Sequence, residues 1–241
     1  MSGHSHWATI KRKKEKVDSQ KGKVFTKIIR EITVAAREGG GDPAGNARLR
    51  LILEKAKAAN MPADNVNRAI KKGTGELEGA DYETIVYEGY GPEGVAIIAE
   101  AITDNKNRTV SDLRHAFSRL GGKLAETGSV GWMFLQKGII VISGNNLTED
   151  LILEKLIDFN IEDITAHEGS NEFSIQCAIS DLDKVRQAAV SSGFKVESAD
   201  IEWVAKDPIE GVNPQSEERV FKLLEALEDL DDIKNVYSNL K

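Results

Sequence analysis

Cysteine is almost missing from this chain of 241 residues, and Cys177 alone excludes an internal disulfide and any cysteine-based zinc cluster. Phe173, Ile175, Cys177 and Ile179 alternate as on one face of a strand, so Cys177 is expected as a buried structural thiol rather than a nucleophile. Histidine is scarce too: His4 and His6 belong to no zinc motif, and His115 and His167 fall in separate units without ligand spacing. No metal and no cofactor is expected. There is no G-x-S-x-G, P-loop, Cys/His pair or H-E-x-x-H, so neither an enzyme nor a small-molecule substrate is expected. No run of about 18 apolar residues is present, and the first residues lack the apolar core of a signal peptide. The expectation is a cytoplasmic protein with no membrane partner. Gly89–Gly94 does match G-x-G-x-x-G, but VAIIAEAIT after it is β-rich and Pro92 sits inside it. A dinucleotide site needs a helix there, so the string reads as a hairpin loop.

What is present is positive charge at one end. The net charge of −7 averages two opposite parts. Residues 1–75 hold 17 Lys and Arg against 7 Asp and Glu, a balance of +10, which leaves 15 against 32, or −17, for the remainder. Such asymmetry describes a basic binding module on an acidic body. Trp7 is followed by a cationic tract of Lys11, Arg12, Lys13, Lys14 and Lys16, interrupted only by Glu15. The spacing then becomes helical, with Val24, Phe25, Ile28, Ile29, Ile32, Ala35 and Ala36 on one face. Lys23, Lys27, Arg30 and Arg37 fall largely away from that face, and Arg48, Arg50, Lys55 and Lys57 extend the basic surface on the next helix. A cationic arm adjoining a cationic stripe suits a phosphate backbone. Lys106 and Arg108, in the polar loop from Thr103 to Thr109, are candidates for a second contact.

The first helix should stop at Gly39-Gly40-Gly41, and Asp42-Pro43 reads as the start of the second, a cap followed by proline at the first helical position. Met61-Pro62 starts a third helix that ends at Gly73. Beyond the linker the period becomes two: strands at 82–87 and 95–103, a helix capped by Thr103-Asp104-Asn105, and a strand near 129–135. A second unit then reads β-α-β-β-α-β, the ferredoxin-like split motif. Asn213-Pro214 opens a last helix, with Leu223, Leu224 and Leu227 on one face, and a strand closes the chain. The middle unit lacks a helix and a strand, which this ending supplies. The expected class is therefore α+β and multidomain. Residues 1–78 form the arm and a three-helix domain, 79–136 with 207–241 one ferredoxin-like domain, and 137–206 a second, inserted into it.

Five stretches, GHSHWATIK, GGGDPAGNARLR, AKAANMPADNVNRAIKKGTG, YEGYGPEGVAIIAEAITDNKNRT and GSVGWMF, together resemble the YebC family over nearly the whole chain. The family usually begins GHSKWANIKH. Here His6 stands in place of its lysine and Arg12 in place of its histidine, so a lysine contact just before Trp7 does not carry over, while the cationic tract is kept. The resemblance implies one helical and two ferredoxin-like domains around a cleft. It also implies nucleic-acid partners of two kinds. Bacterial members look like DNA-binding transcriptional regulators. A mitochondrial relative is a translational activator, and bacterial relatives are also regarded as ribosome-associated factors that ease synthesis of proline-rich stretches, which makes ribosomal or transfer RNA the alternative ligand. Phosphate contacts do not distinguish the two polymers. An arm of lysines with Trp7, poor in residues suited to base edges, reads charge and shape more than sequence.

Overall fold

The computed structural model describes residues 21–167 and 169–241. Three helices come first, α1 (Lys21–Gly39), α2 (Ala47–Ala58) and α3 (Ala63–Gly73). Ile28, Ile32 and Ala35 share one side of α1 and meet Leu49, Ile52 and Ala56 of α2 and Ala69 of α3, in a core with Met61. The approach of α3 to α1 depends on Gly73, where a Cβ would stand 2.4 Å from the Thr33 carbonyl oxygen. The start of α2 differs from the Asp42-Pro43 expectation. Those residues form a turn in which the Ala44 N–H donates to the Asp42 carboxylate at 2.9 Å, and the helix begins four residues later. Asn46 wins as the cap because it satisfies the ends of two helices. Its Oδ1 accepts from the Leu49 N–H at 2.9 Å, and its Nδ2 donates to the Ala35 and Gly40 carbonyls at 2.8 Å each.

β1 (Glu83–Tyr90) and β2 (Ala96–Thr103) form an antiparallel hairpin, with Glu83 opposite Thr103 and Tyr90 opposite Ala96. Of the glycine string only Gly91–Gly94 lies at its turn, Gly89 and Tyr90 being paired in β1: the Gly91 N–H donates to the Val95 carbonyl at 2.7 Å, and Gly94 has φ +78°. A strand follows rather than a helix, so no dinucleotide fingerprint is formed. Asn105 caps α4 (Lys106–Arg119), and β3 (Lys123–Leu124) pairs with β1.

The strand expected near 129–135 is not formed there. Gly131–Met133 is a 3-10 turn, and Phe134 opens β4 (Phe134–Ser143) of the second sheet. The reason lies in buried Glu88, whose carboxylate accepts the N–H groups of Gly128, Val130 and Gly131 at 2.8, 2.6 and 2.7 Å. Backbone donors spent on a carboxylate are lost to a ladder. Burial opposes the Glu88 charge, and these three bonds outweigh it, holding the carboxyl below its ordinary range. Glu88→Ala orphans the three donors and is expected to cost about 2 kcal/mol of stability, read as a lowered Tm. An unchanged Tm would show that the loop finds other acceptors.

The second sheet continues with α5 (Glu149–Leu156), β5 (Ile161–Ala166), β6 (Glu172–Cys177), α6 (Leu182–Ser191) and β7 (Lys195–Ala205). Its strand order is β5-β6-β4-β7, antiparallel throughout. Ile140, Ile142, Ile175 and Cys177 face Ile152 and Leu156 of α5 and Leu182 and Val185 of α6. Cys177 is fully buried, and burial pushes its thiol up to about 11. Ile179 does not continue the inward alternation: β6 ends at Cys177, and Ile179, 42% exposed, starts a 3-10 turn into α6.

The chain then returns to the first sheet with α7 (Pro214–Glu228), capped by Asn213, and β8 (Ile233–Ser238), completing the order β3-β1-β2-β8. Val220, Leu223, Leu224 and Leu227 of α7 and Leu113 and Phe117 of α4 cover Ile97, Ala99 and Ala101. On the reverse face Ala96, Ile98 and Tyr237 meet Val130 and Phe134, with Trp203 of β7 against them. β2 is therefore buried on both faces. The architecture is α+β, with three helices leading two sheet-containing units.

Candidate nucleic-acid interface

Trp7, Lys11, Arg12, Lys13, Lys14 and Lys16 lie outside the described residues. The α1 stripe is described, and it runs along the end of α7. Lys23 Nζ donates to the Asp229 carbonyl at 3.1 Å and Lys27 Nζ to that of Glu228 at 2.6 Å. Arg30 Nη1 donates to the Asp231 carbonyl at 2.6 Å and to the Asp232 carboxylate at 2.8 Å, with its guanidinium 5.5 Å from the centre of the Tyr82 ring. The last carbonyls of a helix have no partner within it and carry partial negative charge, so cations one turn apart on α1 cap them. Farther along, Arg37 bonds to Asp81 and the Tyr82 carbonyl, and Arg48 to Glu38.

Lys106 and Arg108, on the first turn of α4, also have acidic partners. Lys106 pairs with Glu83 at 2.7 Å, and Arg108 with Asp104 and Asp232, both at 2.8 Å. Asp232 thus receives both Arg30 and Arg108, together with the hydroxyls of Thr109 at 2.8 Å and Thr103 at 3.2 Å. Sequence reasoning gave this aspartate no role. It lies in the acidic run EALEDLDDI, and nothing local marks it off from its neighbours.

A second set of ion pairs ties the helices to the other sheet unit. Lys55 meets Asp200 at 2.6 Å and Glu31 at 3.4 Å, Arg50 meets Asp183 at 2.7 Å, and Arg186 meets Glu54 at 2.9 Å. Burial works against the Lys55 charge, but the carboxylates of Asp200 and Glu31 prevail and raise its pKa. Much of the charge asymmetry read from the sequence is therefore spent inside the molecule, basic helices against acidic body. Glu100, buried on β2, accepts the Trp203 indole N–H at 2.9 Å. Among the described residues no group of three or more His, Cys, Asp or Glu is arranged to hold a metal, and no helix is long and apolar enough to cross a membrane.

Comparison with known proteins accounts for nearly the whole chain. Residues 5–76 match the TACO1/YebC protein N-terminal domain, and residues 82–240 the TACO1/YebC second and third domain. A probable transcriptional regulatory protein of Chlorobaculum tepidum is 50% identical over 240 residues, covering 100% of this chain and 95% of its own length. One of Pelotomaculum thermopropionicum, with the same description, is 49% identical over 241 residues, with 99% and 98% covered. The crystal structure of a conserved hypothetical protein from Aquifex aeolicus superposes with a TM-score of 0.90 at 45% identity, covering 98% of this chain and 97% of that one. The chain belongs to the TACO1/YebC family.

Proposed function

We propose that this protein is a non-enzymatic nucleic-acid-binding regulator of gene expression, acting on DNA as a transcriptional regulator. One observation carries the reading: a balance of +10 is concentrated in residues 1–75 of a chain that is otherwise strongly acidic. Relatives described as probable transcriptional regulatory proteins support it. The arm is the gripping element, with Lys11, Arg12, Lys13, Lys14 and Lys16 on phosphates; Lys23, Lys27 and Arg30 join it only on leaving the end of α7 and the residues after it. We read the two sheet units as ferredoxin-like, residues 137–206 being inserted between 79–136 and 207–241. The strand order β5-β6-β4-β7 and the return of α7 and β8 to the first sheet support that division.

A second reading, an RNA-binding factor on the ribosome, is favoured by Trp7, because a tryptophan among lysines can stack on an unpaired base. One experiment tests both. Replacing Lys11–Lys14 with alanine is expected to weaken binding to every sequence alike and to lower the slope of log K against log salt by about 3. An unchanged slope would remove the arm from the interface. Trp7→Ala in parallel is expected to leave duplex DNA affinity nearly intact. A loss of about 1–3 kcal/mol confined to RNA, with no change in Tm, would favour the ribosomal reading.

A further inference from the structure

We infer that the cations of the helical unit without an ion partner, Lys57 at the end of α2 and Arg68, Lys71 and Lys72 on α3, together form a docking surface for the backbone of duplex DNA. This inference rests on the nucleic-acid reading above and extends it from Lys57, already part of the basic surface read from the sequence, to three residues of α3. The cations of the helical unit divide into two groups. Lys23, Lys27, Arg30, Arg37, Arg48, Arg50 and Lys55 all have carboxylate or carbonyl partners within the protein. Lys57, Arg68, Lys71 and Lys72 have none among the described residues, and the first three are exposed.

Packing dictates which way these side chains point. Ala69 is buried, Val66 and Ile70 pack against the core, and Gly73 abuts α1, so positions 67, 68 and 71 are left facing outward. Arg68 stands three and four residues before Lys71 and Lys72, a spacing that puts their Cβ atoms about 5–6 Å apart. Like charges at that spacing weaken a helix, and the one acid on α3 is Asp64, one turn before Arg68. The acids of this stretch are at its ends: Asp64 in the first turn, where the dipole favours it, and Glu76 beyond the helix, bonded by the Thr74 hydroxyl at 3.0 Å. The dipole favours Lys71 and Lys72 in the last turn, but it does not account for Arg68 in the middle. Four cations held on rigid helices, none of them in an ion pair among the described residues, complement a line of phosphates.

Duplex DNA is the occupant because this face has nothing to stack with. Residues 41–81 contain no Phe, Tyr or Trp, so unpaired bases would find no platform, whereas a paired helix presents only its phosphates to such a surface.

The test uses the full-length chain with all four residues changed, Lys57→Gln, Arg68→Gln, Lys71→Gln and Lys72→Gln, and a random-sequence 20-base-pair DNA. The wild type is expected to bind with a steep salt dependence. The variant is expected to keep the wild-type melting curve, because the side chains are at the surface, and to lose about 3–4 from the slope of log K against log salt. Arg68→Lys with Lys71→Arg and Lys72→Arg is expected to retain the full slope. Wild type that binds DNA together with a variant of unchanged slope would overturn this surface and leave the nucleic-acid reading standing. Wild type that binds no nucleic acid would overturn both. A slope lost only on a single-stranded RNA of the same sequence would overturn the choice of duplex DNA.

Discussion

Removing Pro214–Lys241 is expected to unfold the first sheet unit. The deleted segment carries Val220, Leu223, Leu224 and Leu227 on α7 and Ile233, Val236 and Leu240 at and beyond β8, all buried in one core. Each such side chain contributes about 1.5–3 kcal/mol on burial, so their sum, roughly 10–20 kcal/mol, matches or exceeds the 5–15 kcal/mol by which a domain is stable. The backbone loses as well. β8 pairs with β2 from Ile97 to Ala101, and the Asn239 side chain accepts the Ala96 N–H at 2.8 Å. β2 would be left as an apolar strand with one edge and one face uncovered. The second sheet should survive, because its core draws on residues 140–201 with only Leu51 added from outside. The expected result in limited proteolysis is cleavage within 79–130 and protection of 134–205. A truncated chain that melts as one cooperative transition at the wild-type temperature would overturn this account.

How legible the fold was depended on how local its causes are. α1, α3, the hairpin and the strands of the second sheet follow from periodicity and caps, and apart from Ile179 their inward residues stand where the pattern puts them. The end of α7 over the first sheet was legible because the first sheet otherwise lacked a cover. Failures came where a distant group decided the outcome. Asp42-Pro43 is the stronger local signal, yet Asn46 caps α2 because it also reaches the Ala35 carbonyl of another helix. Residues 129–135 look extended, but a carboxylate about forty residues earlier takes the N–H groups of Gly128, Val130 and Gly131. The candidate interface was least legible of all. The helical spacing of Lys23, Lys27 and Arg30 is in the sequence, but their partners lie about two hundred residues away, and no pattern couples the two. The same distance concealed the cations of α3, which stand out only once those of α1 are seen to be occupied.

The largest single-residue effect is expected at Asp232, where that hidden coupling converges. Asp232 is 5% exposed, and its carboxylate joins α1, β2 and α4 by accepting from Arg30, Thr103, Arg108 and Thr109. Asp232→Ala leaves Arg30, whose side chain is 13% exposed, without its carboxylate and strips two threonine hydroxyls of an acceptor. Breaking a buried pair from one side costs about 3–5 kcal/mol. Arg108 is 43% exposed and regains water, so the lower end applies. A loss of about 3 kcal/mol corresponds to a fall in Tm of about 6–12 °C in a chain of this size. The pH dependence follows from the direction of the shift. Burial opposes the charge of Asp232, but the hydrogen bonds of Thr109 and Arg108 and the charges of Arg30 and Arg108 hold its pKa below the usual 3.8. A carboxyl depressed in the folded state stabilises fully above its unfolded value, and that contribution drains away as pH falls through 3.8 towards the folded value. The gap between wild type and Asp232→Ala should therefore stay constant from pH 5 to 8 and narrow below about pH 4. Melting curves of both proteins across that range provide the check. Equal stability at pH 7 would show that Asp232 does not hold the seam, and a gap that persists undiminished at pH 2 would show that its charge is not what holds it.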